Sequence, residues 1–214
     1  MNESEISEYD VYSQNVIEFV TVTAETCLLI ENSDATDRSE FIDKLLMLFP
    51  LLYLKAKIVE IPEVILEDDP MRFVTEDDYN EIKEKIEQKL GGDDSYLEVF
   101  HPDMPFSDTP VAAFISEDIA DIYQELKDFA ANYQTTEKIV MNDSLAACLN
   151  AFAEHWGRKL LNTLRALHNI RYSENFYIDE DENIDSQERI GKNKSSIFGY
   201  LDDDENEEID LLLN

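Results

Sequence analysis

Apolar side chains recur every three to four positions over most of the chain. From Ile6 to Ile30, Val16, Val20 and Cys27 alternate with Ile17, Ala24 and Leu28 at helical spacing, uninterrupted by Gly or Pro. The pattern predicts a first helix there. Asn32-Ser-Asp-Ala-Thr-Asp37 is turn chemistry, and Asp37 followed three residues later by Glu40 predicts a capping box opening a second helix. That helix, Phe41 to about Val59, is apolar nearly all round through Leu45-Leu-Met-Leu-Phe-Pro-Leu-Leu-Tyr-Leu54, which places it at the centre of a bundle. Pro50 removes a backbone donor within it and predicts a kink or a split.

Pro62, Pro70 and Glu67-Asp-Asp69 then mark a solvent loop. Thr75 caps a third helix, with Glu76, Asp77 and Asp78 in its electropositive first turn, a narrow seam of Tyr79, Ile82, Ile86 and Leu90, and Gly91-Gly92 as its stop. Its remaining positions are charged, so it belongs on the outside. Ser116 with Glu117 and Asp118 reads as the N-cap of a fourth helix, followed by Ile119, Ile122, Tyr123, Leu126, Phe129, Ala130 and Tyr133. Thr135 or Thr136 starts the last long helix, which runs to about Arg171 with Leu145, Leu149, Phe152, Trp156, Leu160, Leu164 and Leu167 on one side. Sustained period-two alternation is absent, and only Val111 to Ile115 has the look of a short extended piece. The expectation is an all-α bundle of five to six helices over residues 1–172.

Beyond Tyr172 the composition changes. Residues 173–214 carry 14 acids against three basic residues, with scattered Ile, Phe and Tyr, too little apolar surface for a second core. This reads as a mostly flexible acidic tail. Its end, Asp202-Asp-Asp-Glu-Asn-Glu-Glu208 followed by Ile209-Asp-Leu-Leu-Leu-Asn214, can dock as a short helix on a partner or on the chain's own core.

Charge narrows the function classes. With 49 acidic and 17 basic residues the 214-residue chain has a formal net charge of −32, which repels nucleic-acid phosphates and anionic lipid and favours a protein partner with a basic surface. The longest apolar run, Leu45 to Leu54, is half the length of about 20 residues that a membrane span needs. Two cysteines within helical patterns and an acidic, polar N-terminus point to a reducing, cytoplasmic setting without disulfides.

Four groupings bear on chemistry. Asp179, Asp181, Asn183 and Asp185 resemble the opening of a calcium-binding loop, but Ile184 and Ile190 stand where that loop needs its glycine and closing glutamate. Glu117, Asp118, Asp121 and Glu125 share the spacing with which all-α nucleotide pyrophosphohydrolases hold magnesium. The following helix, however, has only Glu137 and Asp143 and lacks the second acidic pair, so acids of a first turn and a solvated face account for them. Glu98 and His101 have the spacing of di-iron bundle ligands, but Pro102 ends any helix there, and neither His155 nor His168 has a glutamate three residues before it. On the last helix Arg158 and Arg165, with Asn162 and Asn169, face away from Trp156; such a stripe pairs with the chain's own carboxylates or forms a groove for an anionic group or for the acidic tail itself. No glycine-rich phosphate loop, nucleophile elbow or metal-spaced cysteine pair is present, and no cofactor is expected.

Several segments agree in order with one family: Phe49-Pro-Leu-Leu-Tyr-Leu-Lys-Ala56, Ser95-Tyr-Leu-Glu-Val-Phe-His-Pro-Asp-Met104, Ile115 to Phe129, Met141-Asn-Asp143, and His155-Trp-Gly-Arg-Lys-Leu160 with Leu164-Arg-Ala-Leu-His168. Over residues 10–172 the chain resembles the bacterial domain of unknown function family 5063, frequent in Bacteroides and its relatives. The resemblance implies a small cytoplasmic helical domain and carries no catalytic residue across.

The reading that results is a non-enzymatic interaction or adaptor module. Its Glu98 to Pro110 loop, stiffened by Pro102, Pro105 and Pro110, presents Asp103, Phe106 and Asp108 to a basic partner. The alternatives are a magnesium-dependent hydrolase using Glu117, Asp118, Asp121 and Glu125, and a nucleic-acid mimic occupying a DNA-binding protein's cleft.

Overall fold

A computed structural model describes residues 11–98 and 111–173, which form six α-helices and one two-stranded ribbon. Helix α1 spans Gln14–Glu31 and α2 spans Arg38–Ile58; α3 is Glu76–Leu90 and α4 is Ile115–Tyr133. The final helical run comprises α5, Lys138–Ala151, a five-residue π-turn, Phe152–Trp156, and α6, Gly157–Arg171. The all-α expectation holds, with one small addition.

Local chemistry sets the element ends. Helix α1 starts at Gln14 rather than at Ile6, because Ser13 is extended and its hydroxyl accepts the Val16 N–H. At α2 the expected box is half made: Asp37 accepts the Glu40 N–H at 2.7 Å, while the Glu40 carboxylate pairs with Lys44 at 2.8 Å. At α3 the box is complete between Thr75 and Asp78, and Gly91 ends the helix at φ 57°, a conformation that favours glycine.

Helix α4 corrects the cap expected at Ser116. It rises directly from a strand, so Ser116 lies inside its buried first turn, and the cap comes from a distant residue. Asp94 accepts the Ser116 N–H at 2.8 Å and its hydroxyl at 2.7 Å. The strands are β1, Ser95–Glu98, and β2, Val111–Phe114, antiparallel with Ser95 opposite Phe114 and Glu98 opposite Val111. The expected extended piece at Val111 is therefore β2, whereas Ile115 is already helical. Its partner β1 is too short to show a periodicity of its own.

The last run begins at Lys138, two residues later than its expected start, because Thr136 turns the chain at φ 63°. Within it the π-turn lets Gly157 pass close to the turn before: a Cβ there would lie 2.4 Å from the Phe152 carbonyl oxygen.

The core lies around α4, against which α1, α3, α5 and α6 all pack. Phe19 stacks on Phe129 at 5.4 Å between ring centroids, and the fully buried Trp156 donates its indole N–H to the Cys148 carbonyl at 2.9 Å. This corrects the central placement of α2, which packs on α1 and α6 and leaves its other side open. The helix is continuous through Pro50, so the expected split does not occur. Pro50 is exposed, and the Leu46 carbonyl that loses its donor lies on the same open side, where water can replace the bond. No helix among the described residues is long and apolar enough to cross a membrane.

Candidate functional site

The four acids weighed for magnesium lie along α4, and each meets a partner from the chain itself. Glu117 pairs with Lys83 of α3 at 2.6 Å. Asp118, buried, accepts hydrogen bonds from the Tyr96 hydroxyl and, at 2.8 Å, from Lys159, with the Thr163 hydroxyl at 3.5 Å. Asp121 accepts from Lys159 at 2.7 Å and from the Tyr79 hydroxyl at 2.9 Å, with His155 at 3.8 Å. Glu125 pairs with the exposed Arg72 at 3.2 Å. The result is a polar lock joining α3, β1, α4 and α6. Among the described residues no three His, Cys, Asp or Glu side chains converge as a metal site.

Electrostatics follow from that geometry. Burial opposes the charge on Lys159, but its bonds to Asp118 and Asp121 outweigh this and raise its pKa. Burial and then the neighbouring carboxylates raise Tyr79 and Tyr96 above the usual phenol range. Burial pushes the Cys27 thiol up to about 12 and raises Cys148 as well, so neither supplies a thiolate near neutral pH.

The structure builds a second site that the sequence pattern did not single out. Residues 59–75 cross the bundle as an irregular strap, held by four buried polar side chains of α4 and α5. Asp143 accepts the N–H groups of Ile65 at 2.9 Å and Leu66 at 2.7 Å, and Asn142 donates to the Glu63 carbonyl at 2.8 Å. Further along, Asp128 accepts the N–H groups of Phe73 at 2.6 Å and Val74 at 2.9 Å, while Asn132 donates to the Met71 carbonyl at 2.7 Å. The available signal was an acid or amide at core positions of amphipathic helices, where an unpartnered polar group would be costly.

Under the strap lies a groove of about 540 Å³. Val16, Ile58, Val64 and Leu145 supply apolar walls, Glu60 and Glu63 supply the charge, and no basic residue lines it. Neither glutamate has an ion-pair partner among the described residues. Outside the groove the strap exposes Leu66, Met71 and Phe73 between the exposed Glu67, Asp68 and Asp69.

The other expected residues fall partly within and partly outside the described residues. Asp103, Phe106 and Asp108 lie outside the described residues, as do His101 and the acidic stretch from Asp179. Arg158 is exposed and donates to the Glu154 carbonyl at 2.9 Å. Arg165 is exposed in a separate cleft of about 340 Å³ beside Tyr96, Glu98, Asn162 and Asn169. Neither arginine has a carboxylate within ion-pair distance among the described residues; the acid-bearing segments 99–110 and 174–214 lie outside them. His168 is exposed and lies against Tyr172, 4.6 Å between ring centroids.

Comparison with known proteins agrees with this fold. Protein BF1032 from Bacteroides fragilis, known from its crystal structure, is 42% identical; the match covers 76% of this chain and 96% of that one, with a TM-score of 0.69. No curated protein matches the chain. A family model described as a domain of unknown function, DUF5063, matches residues 10–173, and with three quarters of the chain inside that match, the protein belongs to the DUF5063 family.

Proposed function

We propose that this chain is a non-enzymatic protein-interaction module whose strap groove takes up a basic, amphipathic segment of a protein partner. The observation that carries this is the groove's composition: apolar walls, two glutamates without ion-pair partners among the described residues, and no basic lining residue. A lysine or arginine side chain supplies the missing charge, and its neighbouring apolar residues supply buried area. The strap is suited to the task because buried side chains fix its backbone, so little ordering entropy is lost on binding. The segment containing Asp103, Phe106 and Asp108 stands as a second acidic contact of the same module. The magnesium-hydrolase reading lacks comparable support, since each of its four acids faces a cation or hydroxyl of the chain.

The test is fluorescence anisotropy with labelled Leu/Lys and Leu/Glu amphipathic peptides. Only the basic peptide should bind, its affinity should fall as salt rises, and Glu60→Gln with Glu63→Gln should weaken it about tenfold or more. Equal binding of both peptides, or no effect of the double variant, would show the assignment to be wrong. Asp103→Asn with Asp108→Asn tests the second contact by the same assay.

A further inference from the structure

Helix α2 has two apolar faces, and the bundle uses one of them. Phe41, Ile42, Leu45, Phe49, Leu52 and Ala56 are buried. On the other side Met47, Leu51, Leu54 and Ile58 are 52, 38, 51 and 44% exposed, and Pro50 is exposed among them. Their separations of four, three and four residues put them on one line along the helix, the spacing of a helix-pairing seam.

That spacing reads the same in both directions. An antiparallel copy of the helix, related by a two-fold axis between Leu51 and Leu54, sets Met47 of one copy opposite Ile58 of the other and Leu51 opposite Leu54. We infer that the outer face of α2 is a homodimer contact in which two copies of this chain meet antiparallel about such an axis. Each apolar side chain then meets an apolar side chain, the condition for a closed two-fold interface.

Charge favours a second copy as the occupant, and area sets its strength. Three of the four basic residues of helix α2 pair with acids of the chain, Arg38 with Asp93, Lys44 with Glu40 and Lys55 with Glu18, so this face is near neutral in a chain of net charge −32 and does not add to the general repulsion. A helix of 21 residues is about 30 Å long and about 10 Å wide, so this face with its flanks covers several hundred Å². A stable interface takes about 800 Å² from each partner. The dimer is therefore weak and concentration-dependent. Ile58 also lines the strap groove, so the two surfaces adjoin.

The test is sedimentation equilibrium of the full chain from low micromolar to millimolar concentration, at low and high salt. The expected result is a reversible monomer–dimer equilibrium that strengthens as salt rises, because salt screens the repulsion between two anionic bodies while leaving apolar contact intact. This is the opposite of the salt dependence expected for the basic peptide, so either reading can fail without the other. Leu51→Glu with Leu54→Glu should weaken the dimer on the order of 100-fold or more and leave the melting midpoint within a few degrees, both positions being exposed. A monomer at every concentration and salt overturns the inference. So does a dimer that the double variant leaves intact.

Discussion

Among single residues, Asp118 is the most consequential acid. It is buried between Tyr96, Lys159 and Thr163, and removing it leaves the Tyr96 hydroxyl without its acceptor and the Lys159 ammonium with Asp121 alone. Asp118→Ala should therefore lower the unfolding free energy by about 1–3 kcal/mol, read from urea denaturation. Its neighbour Glu117 pairs with Lys83 across a largely exposed gap, and Glu117→Gln should change stability by about 0.5 kcal/mol or less. Two adjacent acids in one first turn thus differ several-fold in effect. Alkaline pH probes the same lock together with the Tyr123 hydroxyl, which donates to Glu31 at 2.9 Å. Tyr79, Tyr96 and Tyr123 titrate higher in the folded chain than the ordinary phenol value of about 10, and Lys159 higher than the ordinary amine value of about 10.4. Their contributions are complete below those ordinary values and are lost as pH climbs toward the raised ones. The melting midpoint should fall above about pH 10, with tyrosinate absorbance rising together with unfolding; full tyrosinate absorbance from an intact fold would contradict this. The acids on α4 were legible from their first-turn spacing. Lys159 and Tyr96 were not, because they reach Asp118 from 41 and 22 positions away.

At the level of elements, the strap and the π-turn are the features that periodicity could not supply. Prolines and acids between Ile58 and Thr75 identified a loop, but its attachment depends on side chains of two later helices. Asp143→Ala should free the Ile65 and Leu66 amides, speeding their hydrogen exchange and opening the strap to proteolysis, with α3 amides unchanged. Equal protection in the variant would mean that Asp143 does not hold the strap. The π-turn rests on Gly157, since an added Cβ meets the Phe152 carbonyl at 2.4 Å and its ring at 2.9 Å. Gly157→Ala should cost about 1–3 kcal/mol, despite alanine's better helix propensity, and thermal melting measures it. The caps divide along the same line. Thr75 with Asp78 and Asp37 with Glu40 are local and readable, whereas Asp94 caps α4 from 22 residues away and displaced the N-cap expected at Ser116.

For the whole molecule, the net charge of −32 is the dominant long-range quantity. Raising salt from about 10 mM to about 150 mM shortens the Debye length from roughly 30 Å to roughly 8 Å. The melting midpoint should rise over that range as self-repulsion is screened, and a fall would mean that the internal ion pairs outweigh the repulsion. The sequence by itself determined the helical class, the approximate extent of each helix and the acidic character of the surface. These follow from 3.6-residue periodicity, capping residues and composition, all of which act locally or sum over the chain. Only the tertiary structure decided that α4 rather than α2 is the hub, that α2 keeps an apolar face open, and that the strap is bolted down by Asp128, Asn132, Asn142 and Asp143. Those outcomes depend on which surfaces meet, and an apolar stripe specifies that it prefers cover without specifying what covers it.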